Sequence, residues 1–247
     1  MKFRLIRRWL GAFLDLKRLL SVHQIVRYVY SYVAFKRRGG AIRLRDTYPC
    51  LSDRTHYTQF DPHYFYQAAW IARRLAETRP ARHVDVASHN MILAVVSGFV
   101  PCTFIDFRPL PVELPNLDSR GGSILSLPLA DRSVLSLSCL HVIEHIGLGR
   151  YGDPLDVAGD IKAARELARV LAPGGRLYLV TPIGRPRIEF NAHRVYDPEA
   201  IVAMLSELRL MSFSAVDDQH RFHMQAQPGQ YRRADYACGM YEFGRVD

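Results

Sequence analysis

The sequence predicts an α/β fold, a doubly wound and mainly parallel sheet with a helical extension at its N-terminus. Residues 133–146 and 167–181 each contain a short apolar run of strand-forming residues. Between the runs, apolar residues recur at helical spacing at Ile161, Ala164 and Leu167. A strand, a helix and a second strand in this order form a parallel pair with a right-handed crossover. Ligands of such sheets bind beyond the carboxyl ends of the strands.

The basic charge of the chain is concentrated at its N-terminus. Residues 1–38 hold ten Lys or Arg and one Asp, which accounts for the whole net charge of +9. Apolar residues from Phe3 to Leu20 follow helical spacing with basic residues opposite, which predicts a basic amphipathic helix. Such a helix either packs on the domain or docks on an anionic membrane surface. The balanced charge beyond residue 38 argues against a nucleic-acid partner.

We divide the chain into a helical extension, residues 1–40, and an α/β domain, residues 41–247. The apolar run 22–35 contains Arg27 and is shorter than the roughly 20 residues that a membrane span needs. Charged residues interrupt any secretory leader, and the four cysteines lack the spacing of a zinc site or a disulfide framework. We therefore expect a cytoplasmic protein, with peripheral binding to the inner membrane face through residues 1–38 as the alternative.

Two aspartates mark the first half of the domain. After a helix that starts at Asp61-Pro62, residues 83–87 and 102–106 are predicted as the first two parallel strands. Asp106 follows Asp85 by 21 residues, near the ~20-residue offset at which an acidic side chain binds a ribose. The sequence thus predicts a ligand that contains a nucleoside. Asp85 either contacts this ligand or accepts hydrogen bonds from loop amides.

Polar residues follow the strand near residue 140. His141, Glu144 and His145 match an inverted zinc-protease pattern, which requires both histidines on one helical face. Because the preceding run is predicted as a strand, we favour a polar strand end over a metal site and predict no metal. Further on, residues 182–193 are predicted as a loop, and Asp197-Pro198 starts a helix to about Leu208.

Several of these segments together resemble a known family. The step LPLAD (127–131), the run CLHVIEHI and the run ELARVLAPGGRLYLVTP resemble class I S-adenosylmethionine-dependent methyltransferases. More narrowly, residues 141–156 and 184–196 resemble bacterial members of the domain of unknown function 268 family. The resemblance covers residues 60–245 and implies a Rossmann-like sheet of about seven strands. It also implies that residues 211–216 and 236–243 form an antiparallel pair at one edge.

The resemblance implies a function and a set of site residues. The cofactor that it implies is S-adenosylmethionine, and the implied acceptor is a small molecule or glycan in cell-surface polysaccharide metabolism. The cofactor-binding candidates are Asp85, Ala87, Ser88, Asp106, Leu127 and His141. The catalytic candidates are His193, Glu144 and His145. A neutral imidazole at His193 would suit a general base, and the alternative is that His193 is an ordinary surface or packing residue.

The first loop of the domain departs from the family pattern. Methyltransferases of this class usually carry three glycines there, whereas residues 85–91 contain none. Glycine permits positive φ and close approach of a ligand, so side chains at Ala87 and His89 narrow or redirect the loop. The alternative function is therefore a catalytically inactive, methyltransferase-like scaffold or binding module at the membrane surface.

Overall fold

The computed structural model describes residues 22–51 and 53–246. The amphipathic helix predicted for residues 3–20 lies outside this described part. The chain divides into two compact units, Met1–Phe60 and Asp61–Asp247. The described part of the first unit contains helix α1 (Val22–Arg37) and a 3₁₀ turn, Leu44–Asp46. None of the helices described is long and apolar enough to cross a membrane.

The second unit is built on an eight-stranded sheet, confirming the predicted fold class. Its strands are β1 (His83–Val86), β2 (Cys102–Asp106), β3 (Leu117–Gly121), β4 (Val134–Leu140), β5 (Leu171–Ile183), β8 (Arg209–Val216), β9 (Phe222–His223) and β10 (Ala237–Gly244). The order is β3-β2-β1-β4-β5-β10-β8-β9, and β6 (Arg187–Glu189) and β7 (His193–Val195) form a separate hairpin.

Strand directions divide this sheet into two parts. The five strands from β3 to β5 are parallel, and β10 runs antiparallel to both β5 and β8. The predicted antiparallel pair at residues 211–216 and 236–243 is therefore confirmed. The prediction of about seven strands missed β3, whose mostly polar residues carry little strand signal, and the two-residue edge strand β9.

Four helices flank the sheet: α2 (Pro62–Thr78), α3 (Asn90–Val96), α4 (Gly159–Val170) and α5 (Pro198–Met204). The predicted starts of α2 and α5 are confirmed, because Asp61 Oδ1 accepts a hydrogen bond from Tyr64 N at 3.1 Å and Asp197 Oδ1 accepts one from Glu199 N at 2.9 Å. Helix α5 ends at Met204, earlier than the predicted Leu208.

Two apolar layers cover the two faces of the sheet. Successive residues of β5 point alternately into the two layers. Leu177 and Leu179 pack on the side of α4 and α5, and Tyr178 and Val180 pack on the side of α2 and α3. This period of two, with helices on both faces, is the doubly wound arrangement that the sequence predicts.

The sequence Pro173-Gly174-Gly175 predicts a turn that closes the preceding helix and leads into the next strand, but the structure differs. Helix α4 ends at Val170 and β5 starts at Leu171, so Pro173–Gly175 lies inside the strand instead of between helix and strand. Leu171 pairs with Val134, while Arg176 pairs with Ser136, so the segment forms a bulge. Gly174 adopts a positive φ of 71°, which glycine permits without strain.

Candidate cofactor and active site

A cavity of about 530 Å³ opens at the carboxyl ends of β1, β2 and β4. The strand order reverses between β1 and β4, and this is the place where open α/β sheets bind ligands. Apolar walls are contributed by Ile124 and Leu125, and polar groups by Asp106, His141 and His145. Its volume lies in the range of small-molecule and cofactor sites, roughly 300–1,000 Å³.

Two residues with left-handed backbone conformation follow the central strands. Ala87, directly after β1, and His141, directly after β4, both have φ of 57°. Such conformations are uncommon for residues other than glycine, and they cluster at functional sites. Both residues line the cavity. The turn after β1 thus takes a conformation that glycine favours, although its residue is alanine.

Beneath this turn, a buried hydrogen-bonded chain links β1 to β4. Ser138 donates to Asp85 Oδ2, and the Ser88 amide donates to Asp85 Oδ1 at 3.0 Å. His83 contacts the hydroxyls of Ser136 and Ser138, each at 2.8 Å. Burial raises the pKa of Asp85 to about 6, against the opposing hydrogen bonds from Ser138 and Ser88, and burial lowers the pKa of His83 to about 3. Asp85 therefore shapes the loop from below.

Asp106 ends β2 at the wall of the cavity. Its Oδ1 accepts a hydrogen bond from Arg108 N at 2.6 Å, and no described residue donates to its other oxygen. This half-buried carboxylate has one free acceptor facing a space of cofactor size. Such an oxygen suits a vicinal diol such as that of a ribose.

His141 is held by two buried partners. Its Nδ1 lies 2.8 Å from Glu144 Oε1, and its Nε2 lies 3.5 Å from Cys238 Sγ. Burial alone lowers the pKa of His141, but Cys238 and Glu144 raise it to about 10. Glu144 is 1% exposed, and its Oε2 has no hydrogen-bond partner among the described residues. Its carboxylate positions His141 and does not reach the cavity.

His145 lies in the 3₁₀ turn Ile143–His145 and borders the cavity. Its Nδ1 donates to the carbonyl of Ala192 at 2.6 Å, which leaves Nε2 as the basic nitrogen. Burial lowers the pKa of this imidazole, so it is neutral near pH 7. Because β4 ends at Leu140, His141 and His145 share no helical face, as the strand-end interpretation predicts.

Two arginines lie against one aromatic ring at the rim. The guanidinium carbon of Arg108 is 4.7 Å from the centroid of the Tyr151 ring, and that of Arg150 is 5.1 Å from it. Asp153 ties the rim loop together by accepting from the amides of Gly147 at 2.8 Å and Tyr151 at 3.2 Å. Arg108, Tyr151 and Asp153 line the cavity.

The structure separates the predicted site residues into two groups. Those that line the cavity are Ala87, Ser88, Asp106, His141 and His145. The others lie behind its wall. Asp85 and Glu144 are each 1% exposed and do not line the cavity, although a substrate contact is expected of Glu144. Leu127 is packed in the core on the α4 side of the sheet.

His193 also lies behind the wall of the cavity. It starts β7, with its ring centroid 6.4 Å from that of His145 and 5.1 Å from that of Tyr236. Its Nε2 is buried without a hydrogen bond to a described residue, and burial lowers its pKa. The role of general base expected of His193 therefore suits His145 better, since His145 borders the cavity.

Sequence reasoning missed Arg108, Tyr151, His63 and Cys238. Arg108 follows Asp106, the expected ribose ligand, by two residues. That spacing alone does not distinguish a residue of the site from an ordinary surface arginine. The aromatic residues of α2 divide between the core and the site. Trp70 is buried in the core, whereas Tyr64 is 42% exposed, with its ring 5.5 Å from that of His141.

Comparison with solved structures shows the class of fold. The N-methyltransferase NodS from Bradyrhizobium japonicum WM9, in complex with S-adenosyl-L-homocysteine, aligns with a TM-score of 0.52 at 13% identity, covering 76% of this chain and 89% of NodS. A proposed sarcosine dimethylglycine methyltransferase from Galdieria sulphuraria aligns with a TM-score of 0.56 at 15% identity, covering 87% and 98%. The [4+2]-cyclase SpnF aligns with a TM-score of 0.55 at 15% identity, covering 91% and 96%.

These relatives and the strand order define a methyltransferase-like α/β protein of the class I, Rossmann-like type. At such identities the likeness shows the fold alone. Residues 134–237 match the family described as Caenorhabditis protein of unknown function, DUF268. The protein is thus methyltransferase-like and resembles the DUF268 family over the segment from the start of β4 to the start of β10. No curated protein sequence matches the chain.

Proposed function

We propose that this protein binds S-adenosylmethionine in the 530 Å³ cavity and transfers its methyl group to a small molecule or glycan. The observation that carries the proposal is the placement of Asp106. Its carboxylate ends β2 at the cavity wall, next to the turn at Ala87 and at the point where the strand order reverses. A nucleoside bound here would offer its ribose hydroxyls to the free oxygen of Asp106.

The turn after β1 is compatible with this cofactor even though it lacks glycine. Ala87 already holds a φ of 57°, so its backbone follows a path open to glycine at a cost of about 1–2 kcal/mol. A micromolar site provides roughly 8 kcal/mol of binding free energy. Adenosylmethionine also carries a sulfonium and an amino acid, so a loop that cradles phosphate is not required. The residues present therefore fit the cofactor.

We assign each part of the cavity a role in binding. Asp106 accepts hydrogen bonds from the ribose, Ile124 and Leu125 pack against the purine, and the turn at Ala87 and Ser88 adjoins the amino-acid end. The bound cofactor supplies a methyl group on a positively charged sulfur. Tyr151, fixed between two arginines, closes the rim, and these arginines favour an acceptor that carries an anionic group such as a carboxylate or phosphate.

His145 is the proposed general base. Methyl transfer needs mainly an aligned donor and acceptor, and a base is needed only where the acceptor must lose a proton. Nε2 of His145 is neutral and basic near pH 7, because Nδ1 donates to the Ala192 carbonyl. This nitrogen takes a proton from an acceptor hydroxyl or ammonium group. A glycan of the cell surface remains within this proposed acceptor class.

A second candidate function is a binding module without turnover. One observation favours it: Ala87 and His89 line the cavity, at positions where the methyltransferase class that the chain resembles usually carries glycine. SpnF, a cyclase by name, has the same fold, so this architecture is not restricted to methyl transfer. Binding without product formation would be the outcome that supports this candidate.

Isothermal titration calorimetry with adenosylmethionine and S-adenosylhomocysteine tests the proposal. We expect both to bind, and Asp106→Ala to weaken binding by about 10- to 150-fold, which corresponds to the roughly 1.5–3 kcal/mol of hydrogen bonds to a charged group. Asp118→Ala is the matched control, since Asp118 lies on the neighbouring strand β3 and pairs with Arg120. Wild-type protein that fails to bind either compound at millimolar concentration would refute the proposal.

We also propose that the N-terminal extension binds anionic membrane surfaces peripherally. In α1, the side chains of Val26, Val29 and Tyr30 are 69%, 52% and 75% exposed, and Lys36 and Arg37 lie in its last turn. Exposed apolar side chains beside basic residues suit the interface between headgroups and acyl chains. Flotation with vesicles of anionic lipid should carry the full chain upward and leave a variant lacking residues 1–38 behind. Equal flotation of the two proteins, or of neither, would contradict membrane docking.

A further inference from the structure

Three side chains with metal-ligating atoms converge beside the cavity. One ligand atom from each of His63, His141 and Cys238 lies within 4.8 Å of the others. Cys238 is fully buried, His63 is 8% exposed, and the side chain of His141 is 6% exposed. Neither ring nitrogen of His63 hydrogen-bonds to any described residue, although its ring stacks on that of His141 at 6.0 Å. An imidazole nitrogen without a protein hydrogen-bond partner is free to bind a metal ion.

The sheet topology explains this convergence. His141 follows the carboxyl end of β4, and its amide donates to the carbonyl of Val180 on β5 at 2.9 Å. Cys238 lies on β10, which neighbours β5 on the side away from β4, and it pairs with Pro182. Because β10 runs antiparallel to β5, β10 starts beside the carboxyl end of β5. His63, the second residue of α2, completes the group. Residues separated by 175 positions in the sequence thus meet at one place.

The distance between His141 and Cys238 is that of two ligands of one tetrahedral ion. Zn–N bonds of about 2.05 Å and a Zn–S bond of about 2.3 Å, at a tetrahedral angle, place nitrogen and sulfur about 3.6 Å apart. His141 Nε2 and Cys238 Sγ are 3.5 Å apart. The distances from His63 to the other two ligand atoms are at most 4.8 Å. Two zinc-bound nitrogens lie about 3.3 Å apart, so His63 needs a side-chain adjustment of at most about 1.5 Å.

Glu144 provides the outer support that metal-bound histidines usually have. Its Oε1 lies 2.8 Å from His141 Nδ1, so this nitrogen donates to the carboxylate and Nε2 is directed to the metal. Glu144 Oε2 is buried without a hydrogen bond, and among the described residues its carboxylate pairs with histidines and with no Lys or Arg. A divalent ion bound by His141 and the Cys238 thiolate would place positive charge beside this buried carboxylate.

The geometry points to a transition-metal site, formed by His63, His141 and Cys238 and suited to Zn²⁺. Two imidazoles and a thiolate are ligands that this borderline-soft ion prefers, and three protein ligands leave the fourth position open, as in catalytic zinc sites. His63 also lines a second cavity of about 280 Å³, which gives solvent a route to the site. A role for the ion in polarising a methyl acceptor would rest on the proposed function, whereas metal binding itself does not.

Titration of the untagged, chelator-treated protein with Co²⁺ tests the site without adenosylmethionine. We expect one equivalent to bind, with the visible spectrum of a tetrahedral ion and a thiolate-to-cobalt charge-transfer band in the near ultraviolet. Added Zn²⁺ should displace Co²⁺ and raise the unfolding temperature. Cys238→Ser should abolish the charge-transfer band, and Glu144→Gln should keep the band but weaken binding by about 10- to 100-fold.

Cys102→Ser is the matched control, because Cys102 is a buried thiol on β2 that donates to the carbonyl of Val100. This variant should bind Co²⁺ as the wild type does. Wild-type protein that takes up no Co²⁺ or Zn²⁺ at micromolar concentration would overturn the proposal, whatever the variants do. A charge-transfer band that survives in a folded Cys238→Ser protein would overturn it as well. Adenosylmethionine binding in the absence of metal binding would leave the proposed function standing.

Discussion

Replacing Asp85 by Asn should remove a pH-dependent part of the folding stability. The pKa of Asp85 rises from its ordinary 3.8 to about 6 on folding, chiefly through burial. Below pH 3.8 both the folded and the unfolded states hold the proton, whereas the folded state holds it up to about pH 6. Protonation therefore stabilises the fold at low pH, and this contribution is lost as the pH rises through about 6.

The size of the effect follows from the shift. About two pKa units correspond to about 3 kcal/mol of unfolding free energy. A protonated Asp85, or an Asn at this position, donates to Ser138 Oγ while still accepting from the Ser88 amide. Ser138 then donates to His83 Nε2, and the whole buried chain remains satisfied. Asp85→Asn thus mimics the protonated folded state at every pH.

Urea unfolding of the wild type and Asp85→Asn between about pH 4 and about pH 7.5 measures this contribution. The variant should gain about 2–3 kcal/mol relative to the wild type over that interval, since subtracting the two curves removes the other titrating groups. Glu113→Gln, an exposed carboxylate in the loop before β3, is the control and should run parallel to the wild type. Parallel curves for wild type and Asp85→Asn would refute the assignment of a raised pKa to this buried carboxyl group.

Three further predictions test the backbone and the buried ion pair that shape the site. Ala87→Gly should leave the unfolding free energy unchanged or raise it by up to about 1.5 kcal/mol. Glycine relieves the strain of the left-handed backbone at this position, and this gain exceeds the added entropy of the unfolded chain. A loss above about 1 kcal/mol on urea unfolding would contradict this. Arg194→Met should cost about 3–5 kcal/mol, because it leaves the buried Asp160 carboxylate without its cationic partner and with only the Tyr196 hydroxyl as donor among the described residues. Asp160→Asn in the same protein should recover part of that loss in a double-mutant cycle. Gly147→Ala should lower the unfolding temperature more than Gly152→Ala. Both glycines have positive φ, but only at Gly147 would a Cβ overlap a neighbouring carbonyl, that of Asp156. Equal shifts in unfolding temperature would show that the overlap adds nothing to the backbone strain.

Much of the fold could be predicted because its signals are local. The period of two in β5, the helical spacing before it and the Asp-Pro starts of α2 and α5 each depend on residues within one element. The same locality explains the failures. Strand β3 was missed because its residues are mostly polar, and the Pro-Gly-Gly segment was taken as a turn because a bulge is defined only by the register of the neighbouring strand β4.

The sequence by itself determined the doubly wound α/β class and the position of Asp106 at the end of β2, because strand patterns and a fixed offset along the chain carry both. Only the tertiary structure decided which polar residues reach the cavity. Burial depends on what packs over a side chain, and the local sequence does not show this. Glu144 and His193 do not line the cavity, although His145, the residue next to Glu144 in the sequence, borders it. The meeting of His63, His141 and Cys238 depends on the antiparallel return of β10 beside β5, which no local pattern of residues encodes.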